Sequence, residues 1–162
     1  MASKKHLIAA SNFLLGPTNF LILPLPENWN LGQGLSPPEV NSNTTWGEAM
    51  WVTSGRASHL LYDPQRKVGL ELEVKISKGK REPKHRLSLV KDEGTARLGK
   101  HEGSYILGEV KRGFPRRKTA KTLRCSLYCQ ETKRTIDMEF VGVCSEEDLT
   151  QIFEAICGLE CH

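Results

Sequence analysis

Apolar and polar residues alternate through residues 68–76, and this pattern predicts a β-strand with one buried face. The apolar positions are Val68, Leu70, Leu72, Val74 and Ile76. A period of two places all of them on the same side of a strand. Residues 58–62 precede this strand and are joined to it by residues 63–67, where Asp63 and Pro64 favour a turn. The pattern therefore predicts a β-hairpin.

A second hairpin is predicted over residues 124–140. If Thr132-Lys133 forms a two-residue turn, apolar residues pair across the strands: Cys129 with Ile136, Leu127 with Met138, and Cys125 with Phe140. All six then share one face, and polar residues occupy the other. The turn type stays open, because Thr-Lys is not the Asn-Gly pair typical of such turns. Shorter strands are predicted at 86–90, 95–98 and 104–110, with turns at 92–94 and 100–103.

Residues 145–158 have the pattern of an amphipathic helix. Ser145 can cap the first turn, and the three acidic residues after it lie where the helix dipole favours negative charge. Gly158 can end the helix. The apolar stripe consists of Leu149, Ile152, Phe153 and Ile156. We expect this stripe to cover the cysteine-bearing face of the second hairpin.

Residues 1–45 are predicted to form an irregular N-terminal wrap, in which residues 19–25 resemble a buried strand that ends at Pro24 and Pro26. Trp46 and Trp51 mark a return to the core. Together with Trp29 they either seal a core edge or line a pocket. The sequence thus predicts one α+β domain over residues 1–162. Its antiparallel sheet of about six or seven strands lies at 46–143 and is packed by the helix, as two layers or as an α-β-α sandwich.

Charge is distributed unevenly along a chain whose net charge is only +4. Residues 75–86 contain six Lys or Arg and one acidic residue, and residues 111–121 contain six and no acidic residue. Residues 137–162 contain seven acidic residues and no Lys or Arg. This distribution predicts an electrostatic dipole that steers charged partners.

The two basic segments form the candidate partner-binding site. Its residues are Lys78, Lys80, Arg81, Lys84, Arg86, Lys111, Arg112, Phe114, Arg116, Arg117, Lys118 and Lys121. Phe114 and Pro115 add an apolar tip that can stack on a base or enter a protein groove. A strict up-and-down strand order would place the two segments at opposite ends of the sheet, and each segment can also be read as an ordinary solvated loop.

These features predict a non-catalytic binding or adaptor domain that engages an acidic partner, with protein and nucleic acid both open. A nucleic-acid-binding protein is the alternative. The second alternative is a small enzyme or ligand-pocket protein. The sequence contains no nucleophile, phosphate-loop or zinc-helix motif, but a site whose residues meet only in the folded protein would leave no motif.

The five cysteines predict no metal site. Cys125 and Cys129 would lie roughly 13 Å apart on a strand, too far for both to bind one zinc ion. Cys161 and His162 follow Gly158, which is expected to break the helix before they can converge with Cys157. We expect reduced thiols in the core and no cofactor. A disulfide among Cys144, Cys157 and Cys161 stays open.

We expect a cytoplasmic protein without a membrane partner. No apolar run reaches the roughly 18–20 residues that a membrane-spanning helix needs. Lys4 and Lys5 precede an apolar stretch as in a signal peptide, but His6 and Ser11 interrupt that stretch.

Residues 20–24, followed by Pro26 and Trp29, resemble the opening strand, proline and tryptophan of the Mog1/PsbP-like family. The later order is similar, with Gly103 before residues 104–106, a strand containing Tyr128-Cys129, a strand from residue 135 and a closing helix. The resemblance implies an α-β-α sandwich around an antiparallel sheet and a family of non-enzymatic accessory or binding proteins. The family's Ran-binding member uses an acidic surface, whereas the loops here are basic, so the resemblance concerns the fold alone.

Overall fold

Ten β-strands and one α-helix make up the part of the chain that the structure, a computed structural model, describes: residues 2–12, 16–32, 50–53, 56–82, 84, 87–112 and 116–161. The strands are β1 (Ser3–Asn12), β2 (Gly16–Pro26), β3 (Asn30–Gly32), β4 (Met50–Thr53), β5 (Arg56–Asp63), β6 (Val68–Lys78), β7 (Leu89–Leu98), β8 (His101–Arg112), β9 (Lys118–Cys129) and β10 (Arg134–Gly142). The helix is α1 (Glu146–Ile156). Within these residues no helix is both long and apolar enough to cross a membrane.

The strands form one sheet in the order β2-β1-β4-β5-β6-β10-β9-β8-β7, with β3 paired to β5. Every pairing is antiparallel except β1 with β4. The predicted α+β class, a mostly antiparallel sheet with a helix packed on it, is confirmed. The sheet has more strands than expected because residues 1–45 contribute three of them.

The prediction of an irregular wrap over residues 1–45 is wrong for residues 3–12, 16–26 and 30–32, which form β1, β2 and β3. β2 includes Pro24 and ends at Pro26, the second of the two prolines predicted to end it, and it is the first strand of the sheet order. An edge strand tolerates proline because one row of its backbone groups needs no partner strand. In β1, exposed Lys5 alternates with buried His6 and Ile8.

The β5–β6 hairpin is confirmed, with its turn at residues 64–67. One face of β6 is buried through Leu70, Leu72, Val74 and Ile76. We call the face of the sheet on this side, which α1 covers, the inner face. The opposite face, which carries Glu73 and Lys75, is the outer face.

The β9–β10 hairpin has the predicted faces but a different register. Its turn spans residues 130–133, so Cys129 lies opposite Arg134 and Leu127 lies opposite Ile136. The predicted two-residue turn at Thr132-Lys133 is therefore wrong. The register differs by two positions, and an even shift leaves every side chain on its original face. Cys125, Leu127 and Cys129 are accordingly buried on the inner face.

β7 and β8 are longer than the sequence predicts. Residues 92–94 continue β7 instead of turning, and the turn between the strands is Gly99-Lys100 rather than 100–103. β7 is the last strand of the sheet order, and polar residues are common on such edges because they discourage pairing with other chains. Gly94 fits because the Tyr105 ring lies 3.3 Å from where its Cβ would be.

The core lies between the inner face and α1. Trp29 is completely buried there, so it serves the core, whereas Trp46 lies outside the described residues and only the backbone of Trp51, in β4, is described. α1 contacts both β2 and β9, and the ring of Phe153 lies 4.9 Å from that of Tyr105 on β8. The cysteine-bearing face, on which the helix is predicted to pack, is thus only part of the surface that α1 contacts.

The residues that follow α1, which we call the tail (157–161), show that the sheet is curled. The backbone nitrogen of Gly99, in the β7–β8 turn, donates to the carbonyl oxygen of Cys157 at 2.8 Å. Ile22, in β2, exchanges two backbone hydrogen bonds with Glu160, at 2.7 and 3.0 Å. In a flat sheet β2 and β7 would lie roughly 38 Å apart, at about 4.8 Å per strand. The tail nevertheless contacts both ends of the sheet within the three residue steps from Cys157 to Glu160, which span at most about 10 Å. The two ends of the sheet therefore curve toward each other.

Three side chains, Asp63, Arg66 and Asp148, fix the other end of α1. Ser145 caps the helix, with reciprocal bonds of 3.1 Å between Ser145 and Asp148. Arg66, in the β5–β6 turn, lies 2.8 Å from Asp148 and 2.7 Å from buried Asp63. Hydrogen bonds from Asn28 and Arg66 lower the pKa of Asp63 to about 2. The turn and the helix start are thereby held together by one guanidinium.

We expect Asp63→Asn to reduce the free energy of unfolding at neutral pH by about 1–3 kcal/mol, because it removes the charge of a buried carboxylate that accepts hydrogen bonds from Asn28 and Arg66. Because the pKa of Asp63 is lowered on folding, its contribution is complete above the usual value of 3.8 and is lost as the pH falls toward about 2. Denaturant unfolding across the acid range should therefore show a weaker pH dependence in the variant. Glu93→Gln, at an exposed carboxylate of β7, is the control. If the unfolding free energies of Asp63→Asn and Glu93→Gln depended on pH in the same way, Asp63 would not have the proposed role in holding the turn to the helix.

Gly99→Ala should destabilise the protein more than Gly79→Ala. Both glycines have positive φ, +63° and +77°, so each alanine meets backbone strain of about 1–2 kcal/mol. A Cβ at Gly99 would also lie 2.3 Å from the carbonyl oxygen of Leu159, whereas nothing lies within 4 Å at Gly79. The difference between their unfolding free energies therefore measures the packing of the turn on the tail. Equal losses of unfolding free energy in the two variants would show that the tail moves aside for the new Cβ atom at no energetic cost.

Candidate functional site

Lys80, Arg81 and Lys84 of the first basic segment lie in the connection between β6 and β7, whose described residues (79–82, 84, 87 and 88) we call the strap. The strap crosses the outer face from one end of the strands to the other. The backbone nitrogen of Arg81 donates to Thr135 Oγ1 at 2.9 Å, and Arg124 Nη1 donates to the carbonyl oxygen of Lys84 at 2.5 Å. At the far end, the nitrogen of Ser88 donates to the carbonyl oxygen of Glu109 at 2.9 Å.

A cavity of about 490 Å³ lies between the strap and the outer face. Four carboxylates and four cations line it: Glu73, Glu82, Asp137 and Glu139, with Lys75, Arg81, Lys84 and Arg124. Arg124 Nε lies 3.1 Å from Glu139 Oε2. Three cations of the first basic segment, Lys75, Arg81 and Lys84, therefore share this cavity with acidic residues of the sheet.

None of the described residues of the second basic segment lines this cavity. Lys111, Arg116, Arg117 and Lys118 are exposed where β8 ends and β9 begins, and we call this set the basic end. Among the described residues, none of the four forms an ion pair with a carboxylate. The pairing of Lys111 with Thr119 and of Arg112 with Lys118 holds the two strand ends side by side.

The remaining candidate residues are divided among several places. Lys78 and Lys80 are exposed at the opposite end of the strands from the basic end, as an up-and-down order predicts. Lys121 lies opposite Glu109 in the β8–β9 register and so has an acidic neighbour. Arg86, Phe114 and the side chain of Arg112 lie outside the described residues. The structure thus does not bring the two basic segments into one patch, although the strap runs between their ends.

A group that sequence reasoning missed lies near Lys78, at the β9–β10 turn. His101, Cys129 and Cys161 place their ligand-type atoms within 4.8 Å of one another, and we call them the His-Cys cluster. The Sγ atoms of Cys161 and Cys129 are 3.1 Å apart, and His101 Nε2 is 3.1 Å from Cys161 Sγ. The long sequence separations of the three residues match no ligand spacing motif, so the sequence held no signal for the group.

The two thiols of the cluster differ in their surroundings. Burial alone would raise the pKa of Cys129, but hydrogen bonds from Thr132, Cys161 and the backbone of Glu131 lower it overall. Burial and the neighbouring Cys129 raise the pKa of Cys161 to about 12. All five cysteines are free thiols, so the disulfide left open among Cys144, Cys157 and Cys161 is not formed in this structure.

No protein-family model matches this chain, and no curated protein matches it. The function is therefore argued from the geometry of the chain itself.

Thr135→Val should release the strap without unfolding the sheet. Thr135 Oγ1 accepts from the nitrogen of Arg81 and donates to the carbonyl oxygen of Gly79 at 2.7 Å, so valine removes both bonds. We expect trypsin to cleave after Lys80, Arg81 or Lys84 on the order of tenfold faster, because two bonds of about 1 kcal/mol each no longer resist opening.

Thr122→Val is the matched control for the strap experiment. Thr122 is also a fully buried threonine on the outer face, but its hydroxyl has no hydrogen-bond partner within the described part of the chain. Its replacement should leave the rate of strap cleavage unchanged. Equal acceleration in both variants would show that Thr135 does not hold the strap.

Proposed function

We propose that this protein is a non-catalytic binding domain that engages an acidic protein surface through the basic end. The observation that carries the proposal is the clustering of Lys111, Arg116, Arg117 and Lys118, all exposed and without a carboxylate partner in the described residues. Four like charges held at adjoining strand ends repel one another, and an acidic partner relieves that repulsion.

The distribution of acidic residues favours a protein partner over nucleic acid. A nucleic-acid strand needs a run of cations that follows its backbone. On the outer face the strands lead from the basic end to the cavity, where carboxylates equal cations in number. On the inner side, Glu146 and Glu147 begin α1. A folded acidic surface can dock on the basic end without crossing either region.

The basic end also has a rigid support. Its strand ends belong to β8 and β9, which pair along ten positions from Gly103–Leu127 to Arg112–Lys118. Cations presented on such a frame lose less freedom on binding than cations on an unsupported chain. The first basic segment, of which Lys75, Arg81 and Lys84 face carboxylates in the cavity, contributes less to the proposed interface.

The test compares the binding of a labelled oligoglutamate peptide with that of labelled single- and double-stranded oligonucleotides at two salt concentrations. Arg116→Ala/Arg117→Ala/Lys118→Ala should weaken peptide binding roughly tenfold or more, because it removes three exposed attractive charges. Lys78→Ala/Lys80→Ala/Lys133→Ala removes the same charge at the other end of the sheet and should change binding little. Fluorescence anisotropy measures both.

Two outcomes would overturn the proposal. Oligonucleotide binding that is micromolar or tighter, grows with oligonucleotide length and is lost in the first triple variant would assign the basic end to nucleic acid. Equal weakening of peptide binding by both triple variants would show a response to net charge alone.

A further inference from the structure

The His-Cys cluster joins three distant parts of the chain at one point. His101 begins β8, Cys129 ends β9, and Cys161 belongs to the tail. Cys129 and Cys161 are buried, and His101 is partly exposed. Such a set of one imidazole and two thiols is the donor set of borderline and soft metal ions, and it does not suit magnesium or calcium, which prefer oxygen.

The distances suit a tetrahedral ion. With Zn–S bonds of about 2.3 Å and Zn–N bonds of about 2.0 Å, tetrahedral angles place two sulfurs about 3.8 Å apart and a sulfur and a nitrogen about 3.5 Å apart. The observed contacts of 3.1 Å are slightly shorter, and the longest separation in the cluster is at most 4.8 Å. Side-chain adjustments of less than about 1.5 Å bring all three atoms to bonding positions.

The backbone holds each donor in place before any ion arrives. His101 follows the Gly99-Lys100 turn, which is hydrogen-bonded to Cys157. Cys161 follows Glu160, which is paired with Ile22. Cys129 lies opposite Arg134 in the β9–β10 register and accepts hydrogen bonds from Thr132. Donors that are fixed by secondary structure and by neighbouring hydrogen bonds bind metals more tightly than donors on free loops.

We propose that His101, Cys129 and Cys161 bind one Zn²⁺ or a similar thiophilic divalent ion, with a fourth position open to an exogenous ligand. Both cysteines bind as thiolates, and the thiol protons go to solvent as the metal–sulfur bonds form. A cavity of about 80 Å³, lined by Lys100, His101, Leu159, Glu160 and Cys161, adjoins the cluster. It has room for a water molecule, which needs about 30 Å³. The bound ion crosslinks the tail to β8 and β9.

The site is separate from the basic end. β9 runs from Lys118 at the basic end to Cys129 at the cluster, about 36 Å at roughly 3.3 Å per residue. Metal binding is therefore independent of the proposed interface, and either can fail without the other.

Cobalt titration of the reduced, chelator-treated protein, free of any histidine tag, tests the site. One equivalent of Co²⁺ should produce thiolate-to-cobalt charge-transfer absorption and the visible bands of tetrahedral cobalt, and Zn²⁺ should displace it. His101→Ala and Cys161→Ser should each weaken binding by at least the roughly 10- to 100-fold that loss of an outer-shell partner costs. Cys157→Ser and Cys144→Ser remove thiols outside the cluster and should bind like the parent protein.

Circular dichroism of each variant without metal separates lost binding from lost folding. His101→Ala serves as the main variant if Cys161→Ser does not fold, because His101 is the more exposed residue. The proposal is overturned if cobalt binding is absent, or if it is the same in His101→Ala as in Cys157→Ser. It is also overturned if the reduced protein binds no cobalt while air oxidation crosslinks Cys129 to Cys161, since the pair is then a disulfide couple.

Discussion

The structure depends on closing a strongly curled sheet over the short helix α1. The inner face extends across the sheet, and α1 has only eleven residues to cover it. The helix can do so because it is fixed at both ends. Arg66 joins its first turn to the β5–β6 turn, and the tail joins its end to Ile22 and Gly99. The curvature of the sheet, the burial of Trp29 and the meeting of the His-Cys cluster all follow from this closure.

The outer face shows how charge is distributed on such a frame. The sheet presents carboxylates such as Glu73 and Asp137 where the cationic strap crosses, so opposite charges meet within one chain. At the basic end all four cations are exposed, and among the described residues none of them forms an ion pair with a carboxylate. Two basic segments that look alike in the sequence thus have different surroundings.

The sequence predicts those features that depend on local pattern. Alternation through residues 68–76 and the cap at Ser145 gave a strand and a helix that the structure contains. Pattern failed where sheet position decides: the polar residues 92–94 continue β7 instead of forming a turn because that strand lies at an edge of the sheet. The His-Cys cluster could not be found, because its members meet only through tertiary structure. The resemblance to the Mog1/PsbP-like family stays a prediction.

The strand order also constrains how the chain can fold during synthesis. β6 gains its second neighbour, β10, only after β7, β8 and β9 have been made, and β2 meets the tail later still. Until then, the early strands leave the ribosome with an unpaired edge and an uncovered apolar face. Native pairings between distant segments form slowly, and such intermediates tend to aggregate. The apolar side chains of β5 and β6 therefore stay without their final cover until residues 134–161 have been made.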